Sequence, residues 1–117
     1  MTPFGLKIRE LRNAKGVTLK DMASALGVSS AYLSALEHGR RSRPNRLQVQ
    51  RICLYFNIIW DDAEELERLA AHSHPRVTVD TAGLGADATE LANRLAQTIR
   101  KLPPEKIERL LAELREG

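Results

Sequence analysis

A single cysteine, Cys53, stands in a chain of 117 residues. One thiol excludes an internal disulfide framework and cannot hold a zinc site by itself. Aromatic residues make up only 4%, so a core must be built from Leu, Ile, Val, Ala and Met. Long apolar runs are missing as well. Stretches such as Ile58-Ile59-Trp60 fall far short of the ~20 residues that a membrane span requires. Met1-Thr2-Pro3-Phe4 lacks the charged and apolar stretches of a signal peptide, which leads us to expect a cytoplasmic location. Strand signals, repeats and low-complexity tracts are scarce or absent.

What is present is 43% hydrophobic residues, adequate for a packed core, in a length that suits one domain or one small domain plus a short accessory segment. The net charge of +3 is unevenly placed. Residues 1–56 carry ten Lys and Arg against Glu10, Asp21 and Glu37, a surplus of seven positive charges. Residues 57–117 carry eight basic and twelve acidic side chains, a net of −4. A basic half joined to an acidic half points to a polyanionic partner for the first.

Helix punctuation recurs along the chain. Thr2-Pro3 reads as an N-cap with Pro at the first helical position, and Gly16 as the stop. Leu6, Ile8 and Leu11 supply apolar positions between them, with Phe4 a further candidate. Thr18 caps a second helix, and Asp21 completes an acidic capping box. Leu19, Met22, Ala23 and Leu26 form its stripe before Gly27. Ser29 caps a third helix carrying Leu33 and Leu36, which ends at Gly39. The basic loop Arg40-Arg41-Ser42-Arg43-Pro44-Asn45-Arg46 leads to a fourth helix with Val49, Ile52, Cys53 and Phe56 at helical spacing. Asp61 is expected to cap a fifth, with Ala63, Leu66, Leu69 and Ala70 inward. His72-Ser73-His74-Pro75 breaks the pattern. Arg76-Val77-Thr78-Val79 fits a short strand, and Thr81 to Gly85 a turn or linker. Two amphipathic helices follow, one over about Ala86 to Lys101 and one from Pro104, estimated from the period.

Two short amphipathic helices joined by Gly27-Val28-Ser29 form the helix-turn-helix pattern. Thr18-Leu19-Lys20-Asp21-Met22-Ala23-Ser24-Ala25-Leu26-Gly27-Val28-Ser29, then Tyr32-Leu33-Ser34, Leu36-Glu37 and Gly39-Arg40-Arg41, resembles the Cro/C1-type (XRE) helix-turn-helix domain. The resemblance covers roughly residues 4–70. It implies an all-α fold: a five-helix, lambda-repressor-like DNA-binding domain over residues 1–72, followed here by a linker at 73–85 and a C-terminal helical hairpin at 86–117. A bacterial or phage origin is part of the same implication.

The resemblance also assigns roles. Ser30–Glu37 corresponds to the recognition helix, with Ser29, Ser30, Ala31, Tyr32, Ser34 and Ala35 facing the major groove of double-stranded DNA. Family members meet the phosphate backbone at positions that here hold Thr18, Lys20 and His38. Arg40, Arg41, Arg43 and Arg46 follow in the loop. Arg12 and Glu37 resemble the family's internal ion pair, a bidentate Arg–carboxylate bond that would orient the reading helix. The long amides common in phage repressors are missing from this recognition helix, and Leu19 stands where Gln is frequent. Ser, Ala and Tyr make no bidentate base contacts, so DNA shape and basic loops are expected to contribute more.

Other residues have plainer readings. Cys53 is expected to be a small buried apolar side chain. His72 and His74 sit on the linker without enough companions for a metal. The acids from Asp61 to Glu67 suit a helix N-terminus. Gly83-x-Gly85 lacks the Lys-Ser/Thr sequel of a phosphate loop. No nucleophile–base or metal constellation appears, so neither enzymatic activity nor a cofactor is expected.

In the C-terminal helices, Leu91, Leu95, Ile99, Ile107, Leu110, Leu111 and Leu114 form apolar stripes too extensive for two helices to bury alone. Pairing with a second copy as a four-helix arrangement is the favoured use, and folding back on the first domain is the other. The reading is a homodimeric transcriptional repressor on a palindromic operator. An antitoxin-like autoregulator gripping a co-encoded protein, and an interaction module without DNA, are the rivals.

Overall fold

Thr2 accepts the Gly5 N–H at 3.0 Å and starts the first helix, α1 (Pro3–Lys15). Gly16 ends it in the left-handed region at φ 73°, with its N–H returned to the carbonyls of Arg12 and Asn13. This computed structural model describes residues 1–40 and 44–116, and the described residues are all helix, turn or coil. They divide into two units, Met1–Val77 and Thr78–Gly117.

The first unit holds α1 and four further helices. Thr18 and Asp21 form a reciprocal capping box on α2 (Leu19–Leu26), and Ser29 caps α3 (Ser30–Glu37). Asn45 accepts the Gln48 N–H at 2.8 Å to begin α4 (Arg46–Phe56), which Asn57 ends in the left-handed region. The last, α5 (Trp60–Ala71), corrects one expectation: Ile59 precedes it without a side-chain cap, and Asp61 lies inside the first turn. Asp61 and Asp62 still oppose the positive end of the helix dipole there.

Every helix of the first unit contributes to one core. Phe4, Ile8, Met22, Leu33, Ile52 and Leu66 are fully buried, and Val49, Cys53, Leu26, Leu36, Ala23 and Ala70 complete the cluster. In water-to-apolar transfer terms each large side chain contributes about 1.5–3 kcal/mol. Helix α1 packs on α3 and α5, α4 packs on α2 and α5, and α2 packs on α3. Phe4 is wholly buried while Leu6 is 50% exposed, because Phe4, Ile8 and Leu11 share one helical face and Leu6 points elsewhere.

Two small residues close this packing. Gly5 lies against the end of α3, where a Cβ would stand 2.2 Å from the Glu37 carbonyl oxygen. Ser73, buried just past α5, accepts the Phe4 N–H at 2.9 Å and donates to the Leu69 carbonyl at 2.5 Å. Lys15 donates to the Tyr55 carbonyl at 2.9 Å and lies 4.0 Å from the centre of the Tyr55 ring, joining the ends of α1 and α4.

In the second unit, Asp80 accepts the Ala82 N–H and Leu84 N–H bonds the Thr81 carbonyl, closing a turn before α6 (Ala86–Thr98). The continuous helix expected to Lys101 instead tightens into a 3-10 turn at Ile99–Lys101. Leu102 is extended, and α7 (Pro104–Glu116) follows. Neither α6 nor α7 buries a residue. Arg76-Val77-Thr78-Val79 forms no strand within this single chain. No helix among the described residues is long and apolar enough to cross a membrane.

The Gly5 contact generates a test. Gly5→Ala is expected to lower unfolding stability by at least ~1–3 kcal/mol, because the obstacle is backbone and cannot rotate aside. A urea titration followed by circular dichroism measures it, and an unchanged midpoint would refute the close approach.

Candidate nucleic-acid interface

The turn between α2 and α3 is built by one glycine. Gly27 takes φ 70°, and the Val28 N–H returns to the Ala23 carbonyl at 3.0 Å. Val28 then packs against the core between the two helices. A side chain from α4 finishes the join, as the Arg51 guanidinium donates to the Leu26 carbonyl at the end of α2. Cationic side chains suit such unpaired C-terminal carbonyls.

Leu33 and Leu36 anchor α3 from below. Ser29, Ser30 and Ala31 are exposed, as the six base-facing positions were all expected to be. Tyr32, Ser34 and Ala35 are instead half-buried, and Tyr32 packs against the core. The cause is helical geometry: Tyr32 lies four residues before Leu36 and so flanks the buried stripe. Ser29 Oγ accepts the Tyr32 N–H at 3.0 Å. That bond leaves its hydroxyl proton available to an outside acceptor.

The positions assigned to phosphate fall into three sets. Thr18 Oγ1 accepts the Asp21 N–H at 3.0 Å, and Lys20 next to it is exposed. His38 ends α3, exposed, with Nδ1 2.8 Å from the Ser34 carbonyl. A carbonyl only accepts, so Nδ1 carries the proton and Nε2 is left for other partners. Arg40 is exposed, and its N–H closes onto the Ala35 carbonyl at 2.9 Å. Arg41 and Arg43 lie outside the described residues. Arg46 is not in a loop. It is the first residue of α4, and its Nε stands 3.9 Å from Glu67 on α5. An exposed pair of this kind contributes at most ~1 kcal/mol.

Arg12 Nη2 donates to Glu37 Oε1 at 3.3 Å, with the two side chains 15% and 3% exposed. The contact is a single one and lacks the bidentate form expected of it. The other terminal nitrogen, Nη1, is 3.5 Å from the Val17 carbonyl just before the α2 cap. Arg12 thereby connects α1, the approach to α2 and the end of α3. Its buried Nε has no partner among the described residues.

Burial, and then the nearby Glu67 carboxylate, pushes the Cys53 thiol above its usual range. Both causes disfavour the thiolate, so the group behaves as a buried apolar side chain. The described residues contain no group of three or more His, Cys, Asp or Glu able to hold a metal ion.

Gly5, Arg51 and Ser73 escaped sequence reasoning. Only Gly5 left a trace: a glycine inside a helix costs about 1 kcal/mol against alanine, which marks a packing reason.

Five helices, with the second and third joined by a glycine turn over a common core, define a helix-turn-helix domain. A family model described as a helix-turn-helix domain matches residues 3–72. The chain belongs to that family, and its first unit is XRE-like. It is similar to an uncharacterized HTH-type transcriptional regulator, RghRB, of Bacillus subtilis (strain 168), with 32% identity over 62 residues, 53% of this chain and 45% of that protein. It is also similar to the HTH-type transcriptional regulator DdrOP3 of Deinococcus deserti, with 39% identity over 59 residues, 50% of this chain and 45% of that protein. The chain thus matches a little under half the length of each relative. No solved structure matches it.

Breaking the ion pair from one side tests its weight. Removing one partner of a buried pair typically costs about 3–5 kcal/mol. The partial exposure of Arg12 places Glu37→Ala near the lower end. The double variant with Arg12→Ala should fall short of the summed single losses in urea melts. Additive losses would show two independent charges.

Proposed function

We propose that this chain is a sequence-specific, double-stranded-DNA-binding transcriptional regulator of the Cro/C1 type. The observation that carries the reading is the glycine turn presenting the N-terminal half of α3 with Ser29, Ser30 and Ala31 exposed while Leu33 and Leu36 hold its underside. A helix so placed enters the major groove with its first residues at the base edges. Ser29, Ser30, Ala31, Tyr32, Ser34 and Ala35 are the proposed reading positions, with hydroxyl bonds and apolar contact to thymine methyls as their means. Thr18, Lys20, His38, Arg40, Arg41, Arg43 and Arg46 are the proposed phosphate contacts. Readout by these residues is sparse, so DNA shape carries part of the specificity.

The working unit we propose is a homodimeric, cytoplasmic repressor on a palindromic operator. What supports the dimer is the uncovered apolar face of the second unit: Leu91 is 61% exposed and Leu114 73%, with Leu95, Ile99, Leu110 and Leu111 also open and Ile107 half-covered. Two-fold pairing through such stripes suits half-sites about 34–36 Å apart. The same face supports a second reading, an antitoxin-like autoregulator that grips a co-encoded protein. Co-purification of one defined partner in stoichiometric amount would favour it.

Fluorescence anisotropy across a salt series tests DNA binding directly. Affinity should fall steeply with salt, and Arg40, Arg41 and Arg43 changed together to Ala should flatten the slope by close to three units while weakening all duplexes alike. Binding to no duplex at any salt would overturn the reading in favour of a module that works without DNA.

Sedimentation tests the dimer. Every core residue of the first unit precedes Ser73, so a chain lacking residues 86–117 should keep its fold, become monomeric and lose operator affinity. A truncated chain that still dimerises with full affinity would refute the assignment.

A further inference from the structure

The start of α1 and the end of α3 meet closely at the backbone. Gly5 touches Glu37, the last residue of the proposed recognition helix, with no space for a Cβ. Two residues further on, a Cβ at Gly39 would stand 2.8 Å from Thr2 Cγ2. The N-cap and the first turn of α1 therefore bound the exit of α3. What holds that turn in place is its own N–H donors, which a helix start leaves unpaired. Thr2 takes the Gly5 N–H through its side chain and the Leu6 N–H through its carbonyl. The Phe4 N–H goes to Ser73, a residue 69 positions away. Ser73 is itself fixed, 3% exposed, by its bond to the Leu69 carbonyl of α5.

We propose that Ser73 is a positioning residue for DNA recognition: its hydrogen bond to Phe4 seats α1's first turn on α5, and that turn sets the exit end of α3. Ser73 touches no DNA in this scheme. It acts through Phe4 and Gly5 on Glu37. The role in recognition depends on the DNA-binding reading above, whereas the mechanical link does not.

Removing the hydroxyl strands a buried N–H, a loss equivalent to roughly ten-fold in a local equilibrium. Full-length Ser73→Ala should therefore exchange the amide hydrogens of Phe4, His38 and Arg40 roughly ten-fold faster, while those of Ile52 and Cys53 in α4 keep the wild-type rate. Its affinity for a duplex that the wild type enriches from a randomised library should drop relative to a scrambled duplex, with the salt slope on both unchanged. Equal acceleration at every amide, or an unchanged affinity ratio, would reduce Ser73 to a general stabilising contact and overturn the proposal. If Ser73→Ala fails to fold, the wild type decides. Phe4, His38 and Arg40 should open with one common free energy across low urea concentrations, and separate openings would overturn the link. A wild type that enriches no duplex would fail the DNA-binding reading instead, leaving the exchange pattern to judge the mechanical one.

Discussion

Glu37 places a buried carboxylate on the last residue of α3, where the negative end of the helix dipole opposes it. Among the described residues its ion-pair partner lies on another helix. That partner, Arg12, is nearly buried itself and stabilises the charge. The backbone carbonyl of Glu37 lies directly against Gly5. Glu37 thus meets α1 twice, through its charge at Arg12 and through its backbone at Gly5. The orientation of α3 follows from this junction, since a misplaced α3 would leave two charges desolvated without partners.

The rest of the first unit can be understood as support for that junction. Leu33 and Leu36 fix how far α3 stands from the core. Gly27 and Val28 fix its angle to α2, and Arg51 fastens the carbonyl at that corner. The outward side of α3 is left with short side chains. In the proposed role Ser and Ala would make few directional base contacts, which would shift weight to the surrounding cations and to the shape of the duplex. The surplus of positive charge in residues 1–56 agrees with that division.

The second unit obeys a different constraint. Its helices are amphipathic, yet their Leu and Ile stripes stay open to solvent. A pair of short helices has too little interior to cover such stripes. Residues 78–117 carry seven acidic and six basic side chains, so charge gives this part no attraction for a polyanion. An uncovered apolar face on a nearly neutral segment is suited to protein association.

Local rules were legible in the sequence because they act within a few residues. The caps at Thr2, Thr18 and Ser29, the stops at Gly16 and Gly27, and the stripes through Met22, Leu33 and Ile52 all depend on neighbours three or four positions away. Those rules, with the motif around Gly27, settled the all-α class and the helix-turn-helix. The tertiary structure decided the contacts between distant segments. It chose Phe4 over Leu6 for the core, turned Tyr32 half inward, and moved Arg46 onto a helix beside Glu67. It also joined Ser73 to Phe4 and Gly5 to Glu37. No periodicity records such pairs, because a hydrogen bond across 69 residues or a backbone approach without a Cβ exists only once the helices have packed.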